Sequence, residues 1–364
     1  MLKGNWSGFE LEGKPDFEQS MQRIEAWYEN QIIDRVPVRF HRHNAQFDHE
    51  NSGGKTWPGL KERWFDTEYQ VDSFRKSIEG KLFRGETFPI FDPNLGPDIL
   101  QAFNGQELVY GEVTSWTHPV IDSAEDLSKI RLDQNNKYFR KIEEMTDCAL
   151  QYAEGQYIVG YTDLHPGMDF VASWRGNDRV CMDFYLDPGL LKELIRLGTE
   201  GFQDIYDHFH SILSAAGQPS ANWMGIPSAG KLHIPSNDFS ALIGNELFDE
   251  YCLPILQKEV KPMDTNIFHL DGKGVANHLD SILSVPEIDA IQWVQGVGED
   301  QPIMQWVPLF KKLQDAGMPV IADVAVDELE DFMAAVRPEG IFLWVGAESD
   351  EEEERILDRL LHWS

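Results

Sequence analysis

The chain has 364 residues and a formal net charge of -31 at pH 7, and 42% of its residues are hydrophobic. This apolar content can fill a large core, which excludes a disordered chain. The negative charge excludes nucleic acid and anionic membrane surfaces as expected partners, because phosphates would be repelled. No stretch approaches the roughly 18 consecutive apolar residues of a membrane helix. The first residues lack the apolar core of a signal peptide, so a cytoplasmic location is expected.

The three cysteines, Cys148, Cys181 and Cys252, are too few and too scattered for a disulfide framework or a cysteine-based zinc ribbon. We expect them to be small buried apolar side chains. Thiol chemistry is therefore not expected from them.

Short β-branched or aromatic runs alternate along the chain with longer amphipathic stretches, a pattern typical of parallel α/β folds. Eight such runs predict strands at Val36–Arg42, Thr87–Asp92, Tyr157–Asp163, Leu232–Asp238, Asn266–Asp271, Ala290–Gln295, Pro319–Asp323 and Ile341–Gly346. Trp223–Ile226 competes with Leu232–Asp238 for the fourth place. Eight strands alternating with helices predict an α/β fold of the (β/α)8 TIM-barrel type, with residues 1–364 forming a single domain.

Two segments extend this pattern. Residues 1–33 are predicted to form an N-terminal helical extension, with a helix over Phe17–Gln31. Residues 94–135 form a long insertion after strand 2, over the barrel mouth, in which Val109–Val120 is expected to make a hairpin. Further helices are predicted from Asp187-Pro188 to Ile212 and over Phe239–Val260, Ile303–Ala316 and Glu328–Val336.

The C-terminal ends of the predicted strands are rich in histidine and aspartate, and catalytic residues of TIM barrels lie at such ends. His269 and Asp271 are two residues apart, so both face the same side of their strand. This spacing suits a metal pair, an acid/base pair or an aspartate that orients the imidazole, while a buried, satisfied histidine is the structural alternative. Asp163 and His165 repeat the spacing in reverse.

Aromatic residues supply a further set of candidates. Trp174, Trp293 and Trp344 can stack on a planar or sugar substrate, or simply fill the barrel. The sequence leaves both alternatives open.

Several motifs resemble the uroporphyrinogen decarboxylase superfamily, which includes the decarboxylase and the cobamide-dependent methyltransferases. They occur in the family's order across about residues 30 to 350. They are Asp34-Arg35-Val36-Pro37-Val38, Phe91-Asp92, Ala172-Ser173-Trp174-Arg175-Gly176, Leu186-Asp187-Pro188, Asn237-Asp238-Phe239-Ser240, Tyr251-Cys252-Leu253-Pro254 and His269-Leu270-Asp271-Gly272. The resemblance implies a (β/α)8 barrel.

The decarboxylase reaction itself is not expected from this resemblance. Asp92 matches the family's carboxylate after strand 2, but Arg42 alone represents its arginine-rich loop, and Trp174 replaces its tyrosine. A chain with a net charge of -31 is poorly suited to an octacarboxylate substrate. Uroporphyrinogen is therefore not expected as the substrate.

The methyltransferase branch implies a zinc ion bound through His-x-Cys and a distal cysteine. Here Asp271 takes the place of the first cysteine, and the distal position falls near Gly346. A divalent metal, either zinc or a harder ion, would be held by His269 and Asp271 with oxygen or imidazole neighbours. The branch also implies a corrinoid protein as a partner beside the small-molecule substrate, and a homodimer is compatible with the sequence.

The leading hypothesis is a methyltransferase-like enzyme, linked to a corrinoid, with His-x-Asp replacing His-x-Cys. Alternatives are a metal-dependent lyase or hydrolase, a carboxy-lyase, and a non-catalytic corrinoid- or ligand-binding relative. The predicted catalytic residues are His269, Asp271, Asp92, Asp163 and His165. The predicted substrate-binding residues are Arg42, His41, Trp174, Asp238, Trp293 and Trp344.

Overall fold

The computed structural model describes residues 3–41 and 54–363. Its strands are β1 (Val38–His41), β2 (Ile90–Phe91), β3 (Val109–Tyr110), β4 (Ser115–Trp116), β5 (Ile158–Val159), β6 (Leu232–His233), β7 (Thr265–Asp271), β8 (Ala290–Val294), β9 (Val320–Asp323) and β10 (Ile341–Gly346). Six of them form one parallel sheet in the order β1-β10-β9-β8-β7-β6. The first and last strands of the chain are neighbours in this sheet, which is therefore curled.

The α-helices lie between these strands. They are α1 (Phe17–Tyr28), α2 (Leu60–Trp64), α3 (Thr67–Ile78), α4 (Ile99–Phe103), α5 (Lys137–Leu150), α6 (Met168–Arg175), α7 (Asn177–Leu186), α8 (Pro188–Thr199), α9 (Phe202–Ala215), α10 (Asn245–Leu247), α11 (Leu253–Val260), α12 (Gly272–Ala276), α13 (Leu279–Leu283), α14 (Val307–Asp315), α15 (Leu329–Ala335) and α16 (Asp350–Leu360). Short 3-10 helices cover Ala124–Lys129, Asp238–Leu242, Gly298–Asp300 and Ile303–Trp306, and a π-helix covers Phe248–Cys252. No helix in the described ranges is long and apolar enough to cross a membrane.

The eight predicted strands correspond to β1, β2, β5 and β6 to β10 in chain order. This confirms a mixed α/β fold with a curled parallel sheet. β2 and β5 pair with each other in a separate two-stranded parallel sheet. Closure of all eight strands into one barrel stays a prediction.

β5 and β6 are not paired with each other, and the segment between them explains why. Ser220 and Ser228 exchange backbone hydrogen bonds of 2.9 and 2.8 Å and close a loop. Within this loop, Gly225 has a positive φ of 75°, a conformation that glycine adopts readily. Trp223–Ile226 is therefore part of a turn, and β6 occupies the fourth place.

Two predicted helices are interrupted. The helix expected from Asp187 to Ile212 ends at Thr199 and restarts at Phe202, because Gly201 between them is left-handed. The stretch predicted as one helix over Phe239–Val260 contains 3-10, α and π turns in succession. In both cases the apolar period continued through a break that periodicity alone does not reveal.

The N-terminal extension packs against the sheet at the N-terminal ends of its strands. Trp27 of α1 is fully buried, donates its indole N–H to the Gly340 carbonyl at 2.9 Å and meets Phe342 edge-on. Nearby, the fully buried Glu86 accepts hydrogen bonds from the guanidinium groups of Arg35 and Arg23. An apolar contact and a buried ion cluster thus join the extension to the sheet.

Residues 94–135 contain α4, the antiparallel β3–β4 hairpin and a 3-10 helix. The predicted hairpin is confirmed. The segment contacts α6, where the backbone N–H groups of Val120 and Ile121 donate to the Trp174 carbonyl. The Arg175 guanidinium donates to the Asp122 carbonyl at 2.7 Å, which attaches the same segment to the end of α6.

Candidate metal centre

Three side chains meet at the C-terminal end of β7. Asp238, His269 and Asp271 each offer one ligand atom, and these atoms all lie within 4.8 Å of one another. His269 and Asp271 share one side of β7 because side chains alternate along a strand. Asp238 begins the 3-10 helix after β6, and the His269 N–H donates to the Pro235 carbonyl at 2.9 Å, which aligns the two segments.

The His269 imidazole is oriented by two neighbours. Its Nδ1 lies 2.6 Å from Oε1 of Gln292, its register partner on β8. Because an amide oxygen only accepts, Nδ1 holds the proton and Nε2 keeps a lone pair that can bind a metal. The Trp223 ring meets the imidazole edge-on, with centroids 5.4 Å apart. The ring is therefore held in one tautomer and one plane.

Negative charge accumulates around these three residues. Burial raises the pKa of Asp271, the charge of Asp238 raises it further, and His269 acts in the opposite direction. Asp169 of α6 accepts hydrogen bonds from the N–H groups of Phe239 (2.8 Å) and Asp238 (3.1 Å). Burial and the nearby Asp238 charge raise the pKa of Asp169 to about 6. A cation among these carboxylates would relieve their repulsion.

The donor set fits a divalent ion. Two carboxylates and one imidazole suit manganese, iron, magnesium or zinc, whereas a soft thiolate site would need cysteine. The hydrogen bond between His269 Nδ1 and Gln292 is of the kind that orients metal-binding histidines, because it fixes the ring while the other nitrogen faces the metal.

A second polar group adjoins the first through Trp223. The Trp223 indole N–H donates to Asp163 Oδ1 at 2.7 Å, while Asp163 Oδ2 lies 2.7 Å from His165 Nε2. Burial would lower the pKa of His165, but Asp163 more than offsets this and raises it to about 9. Burial likewise acts to raise the pKa of Asp163, and His165 holds it below its usual value. The two groups therefore form an ion pair at neutral pH.

Asp92 directly follows β2 in the same region. Its Oδ1 is buried without a hydrogen-bond partner among the described residues. Burial, reinforced by the charge of Asp163, raises the pKa of Asp92 well above its ordinary value. A raised pKa means that the carboxyl group holds its proton more strongly than an ordinary carboxyl group, and the protonated form can donate a hydrogen bond or a proton.

The remaining predicted substrate-binding residues lie in different parts of the structure. Arg42 lies outside the described residues. His41 is on β1 opposite Gly346, and the half-buried Trp344 is on β10. Trp174 and Trp293 are each only 1% exposed and belong to the hydrophobic core.

The positions of these two tryptophans have a simple geometric cause. Trp293 follows Gln292 on β8, so it faces the opposite side of the strand and packs on Trp306 at 4.8 Å. Trp174 is on the buried face of α6 and packs on Phe170. Both tryptophans therefore pack within the hydrophobic core, and their role in substrate binding stays a prediction.

Three residues at the site were not predicted from the sequence. Gln292 orients His269, Trp223 joins the two polar groups, and Arg39 lies on the same side of β1 as His41. Alternation along β1 and β8 could have indicated Arg39 and Gln292. No periodic signal marks Trp223, because it lies in a turn.

No family model matches this chain, and no curated protein matches it in sequence. Among solved structures, it is similar to a methyltransferase from Methanosarcina mazei, with a TM-score of 0.61 and 13% sequence identity. The similarity covers 93% of this chain and 97% of the other. At this identity the two proteins share a fold over nearly their whole lengths.

Proposed function

We propose that the protein is a metal-dependent enzyme that acts on a small molecule, with methyl transfer as its reaction. The observation that carries the proposal is the convergence of one imidazole and two carboxylates at the end of β7. The fold shared with a methyltransferase favours methyl transfer among the possible chemistries. The methyl donor or acceptor would be a corrinoid protein, as the sequence resemblance implies.

The proposal includes a complete (β/α)8 barrel. The Glu86 N–H donates to the Val38 carbonyl at 2.6 Å and the Phe40 N–H to Thr87 Oγ1 at 2.9 Å, which links β1 to the segment before β2. Across the other gap, the Tyr161 N–H donates to the Ala221 carbonyl at 2.9 Å. These contacts support a barrel whose mouth contains the three ligand residues.

In this account, Asp238, His269 and Asp271 hold the ion and Gln292 fixes the imidazole. A divalent ion bound there supplies Lewis-acid activation of the substrate or its nucleophile. The ligand residues place the reacting centre at the C-terminal ends of the strands, where TIM-barrel enzymes carry out their chemistry.

The chain also supplies groups that can hold or move a proton. The protonated His165 can donate from its imidazole, and Asp163 stabilises that charge at 2.7 Å. The buried Asp92 carboxyl group can also donate when it is protonated, the form that its raised pKa favours. In this account these groups protonate a leaving atom or hold a substrate oxygen.

A metal-dependent lyase, hydrolase or carboxy-lyase is the second candidate. The observation that favours it is that the candidate ligands are two carboxylates and one imidazole, without a cysteine, because oxygen and nitrogen ligands suit the activation of water or of a carboxylate. The same acid/base groups would then serve bond cleavage.

Elemental analysis of the protein, purified without chelators, tests the proposal. We expect about one equivalent of a divalent metal per chain, because the three candidate ligands form a single site in the folded protein. Zinc would support methyl transfer, whereas manganese, iron or magnesium would support the second candidate. A metal-free protein that also takes up none of these ions on reconstitution would contradict both.

A further inference from the structure

Arg39 occupies an unusual position in the middle of β1. Its neighbours Val38 and Phe40 lie in the hydrophobic core, so alternation directs Arg39 to the other side of the strand. The guanidinium carbon lies 4.6 Å from the ring centroid of Trp344, the register partner of Arg39 on β10. Its Nη1 donates to the Met224 carbonyl at 2.9 Å.

No carboxylate of the described residues lies within ion-pair distance of this guanidinium. Arg39 is half-buried, and burial lowers the pKa of its guanidinium to about 10. The three buried arginines of the described residues are paired: Arg23 and Arg35 with Glu86, and Arg175 with Asp183. A partly desolvated charge without a counter-ion is costly. The chain has 62 acidic and 31 basic residues, so acidic partners are plentiful. The lack of one beside Arg39 among the described residues is therefore consistent with a guanidinium that pairs with an anionic ligand.

The surroundings of the guanidinium leave one edge unused. One face stacks on Trp344, and a Cβ at Gly225 would lie almost equally close to Cζ, Nη2 and Nε, at 2.7 to 2.9 Å, which places Gly225 over the other face. Nη1 is bonded to the Met224 carbonyl. The Nε and Nη2 donors make no hydrogen bond within the described part of the chain. Two parallel N–H donors on one edge match the two oxygens of a carboxylate.

This edge is close to the proposed reaction centre. Met224 directly follows Trp223, whose indole contacts His269 and Asp163. Two consecutive residues of one turn therefore make these contacts: Met224 contacts Arg39, and Trp223 contacts His269. A small molecule held at Arg39 would lie beside the proposed metal centre.

We infer that Arg39 binds the carboxylate of a small monoanionic substrate through its Nε and Nη2 edge. A single cation balances one negative charge, which matches a monocarboxylate. The inference rests on the proposed function only in taking this ligand as the substrate.

Thermal unfolding with acetate and propionate tests this inference, with acetamide and propionamide as neutral analogues of the same shape. We expect a saturable rise in Tm with the carboxylates alone, because a ligand that binds only the folded state stabilises it. The fitted Kd should be at least about tenfold weaker in Arg39→Gln, since a charged hydrogen bond of about 1.5 kcal/mol or more is lost.

A matched control is Arg75→Gln, because Arg75 also stacks on an aromatic ring, that of Tyr152 at 4.3 Å, but on α3. This variant should keep the carboxylate response. If Arg39→Gln does not fold, Arg39→Lys keeps the charge but loses the two-donor edge, and should also bind at least about tenfold more weakly. Equal binding by parent and Arg39 variants, equal response to the amides, or a preference for inorganic phosphate would overturn the inference.

The two proposals can fail separately. In a His269→Ala background, the carboxylate response should persist, because Arg39 does not contact the metal ligands. A response that disappears with His269 would assign the carboxylate to the metal centre and overturn the role of Arg39. Elemental analysis decides the metal proposal independently of this result.

Discussion

Replacement of His269 by alanine is expected to lower the affinity for the bound divalent ion by more than about 100-fold, since loss of an outer-shell partner alone typically costs 10- to 100-fold. The variant removes the nitrogen ligand and leaves two carboxylates, Asp238 and Asp271, that repel each other. Competition with a chromophoric chelator measures the affinity. Turnover should be lost together with the metal.

A suitable control for this substitution is His208→Ala. His208 is also a half-buried histidine bonded to a side chain, with its Nε2 2.9 Å from Glu143 Oε1, but it lies on α9 away from the cluster. Metal affinity in this control should equal that of the parent. If the two histidine variants bind the ion equally well, the assignment of His269 as a ligand is wrong.

The second large effect concerns stability. Glu86→Ala should reduce the free energy of unfolding by about 3–5 kcal/mol, the typical cost of removing one partner from a buried ion pair. The Glu86 side chain is 0% exposed and accepts hydrogen bonds from Arg35 at 2.8 and 2.9 Å, Arg23 at 3.2 Å and the Val38 N–H at 2.7 Å. Its loss leaves buried guanidinium charge and a backbone donor without their acceptor.

Urea unfolding of the metal-free protein measures this change, with Glu330→Ala as the control. Glu330 also accepts two hydrogen bonds from one arginine, Arg359, but at the surface. Exposed pairs typically contribute about 1 kcal/mol or less, so this variant should lose little stability. Similar losses in both variants would show that the buried cluster does not join the N-terminal extension to the sheet as we describe.

The succession of strands along the chain and the shared side of His269 and Asp271 could be predicted from the sequence because both follow local rules. Alternating apolar runs and amphipathic helices indicate a parallel sheet, and residues two apart on one strand share a side. His269 and Asp271 satisfy the second rule directly. Asp238 was expected near the same edge but as a substrate-binding residue, and the structure brings its carboxylate within 4.8 Å of the candidate ligand atoms of His269 and Asp271.

The side of the strand was harder to predict for the tryptophans. Strands of a parallel sheet are buried on both faces, so an aromatic residue near a strand end can face the core or the mouth. Trp293 faces the helices and Trp344 the other side of the sheet, beneath Arg39. A one-residue difference in register separates these outcomes.

Contacts between distant segments could not be predicted from local patterns. Trp223 lies in a turn that has no hydrophobic period, yet it joins Asp163 to His269. Glu86 has no local feature that reveals its pairing with Arg23 and Arg35 from other segments. Such partners depend on tertiary packing, which a single sequence does not encode in any short window.

The most direct test of the metal centre is anomalous scattering from crystals of the protein grown with zinc or manganese. We expect a single strong peak at about 2.0–2.2 Å from His269 Nε2 and from one carboxylate oxygen each of Asp238 and Asp271, the distances typical of such ligands. The His269→Ala crystals should lack the peak. A peak at another place, or binding that leaves His269 uncoordinated, would contradict the account.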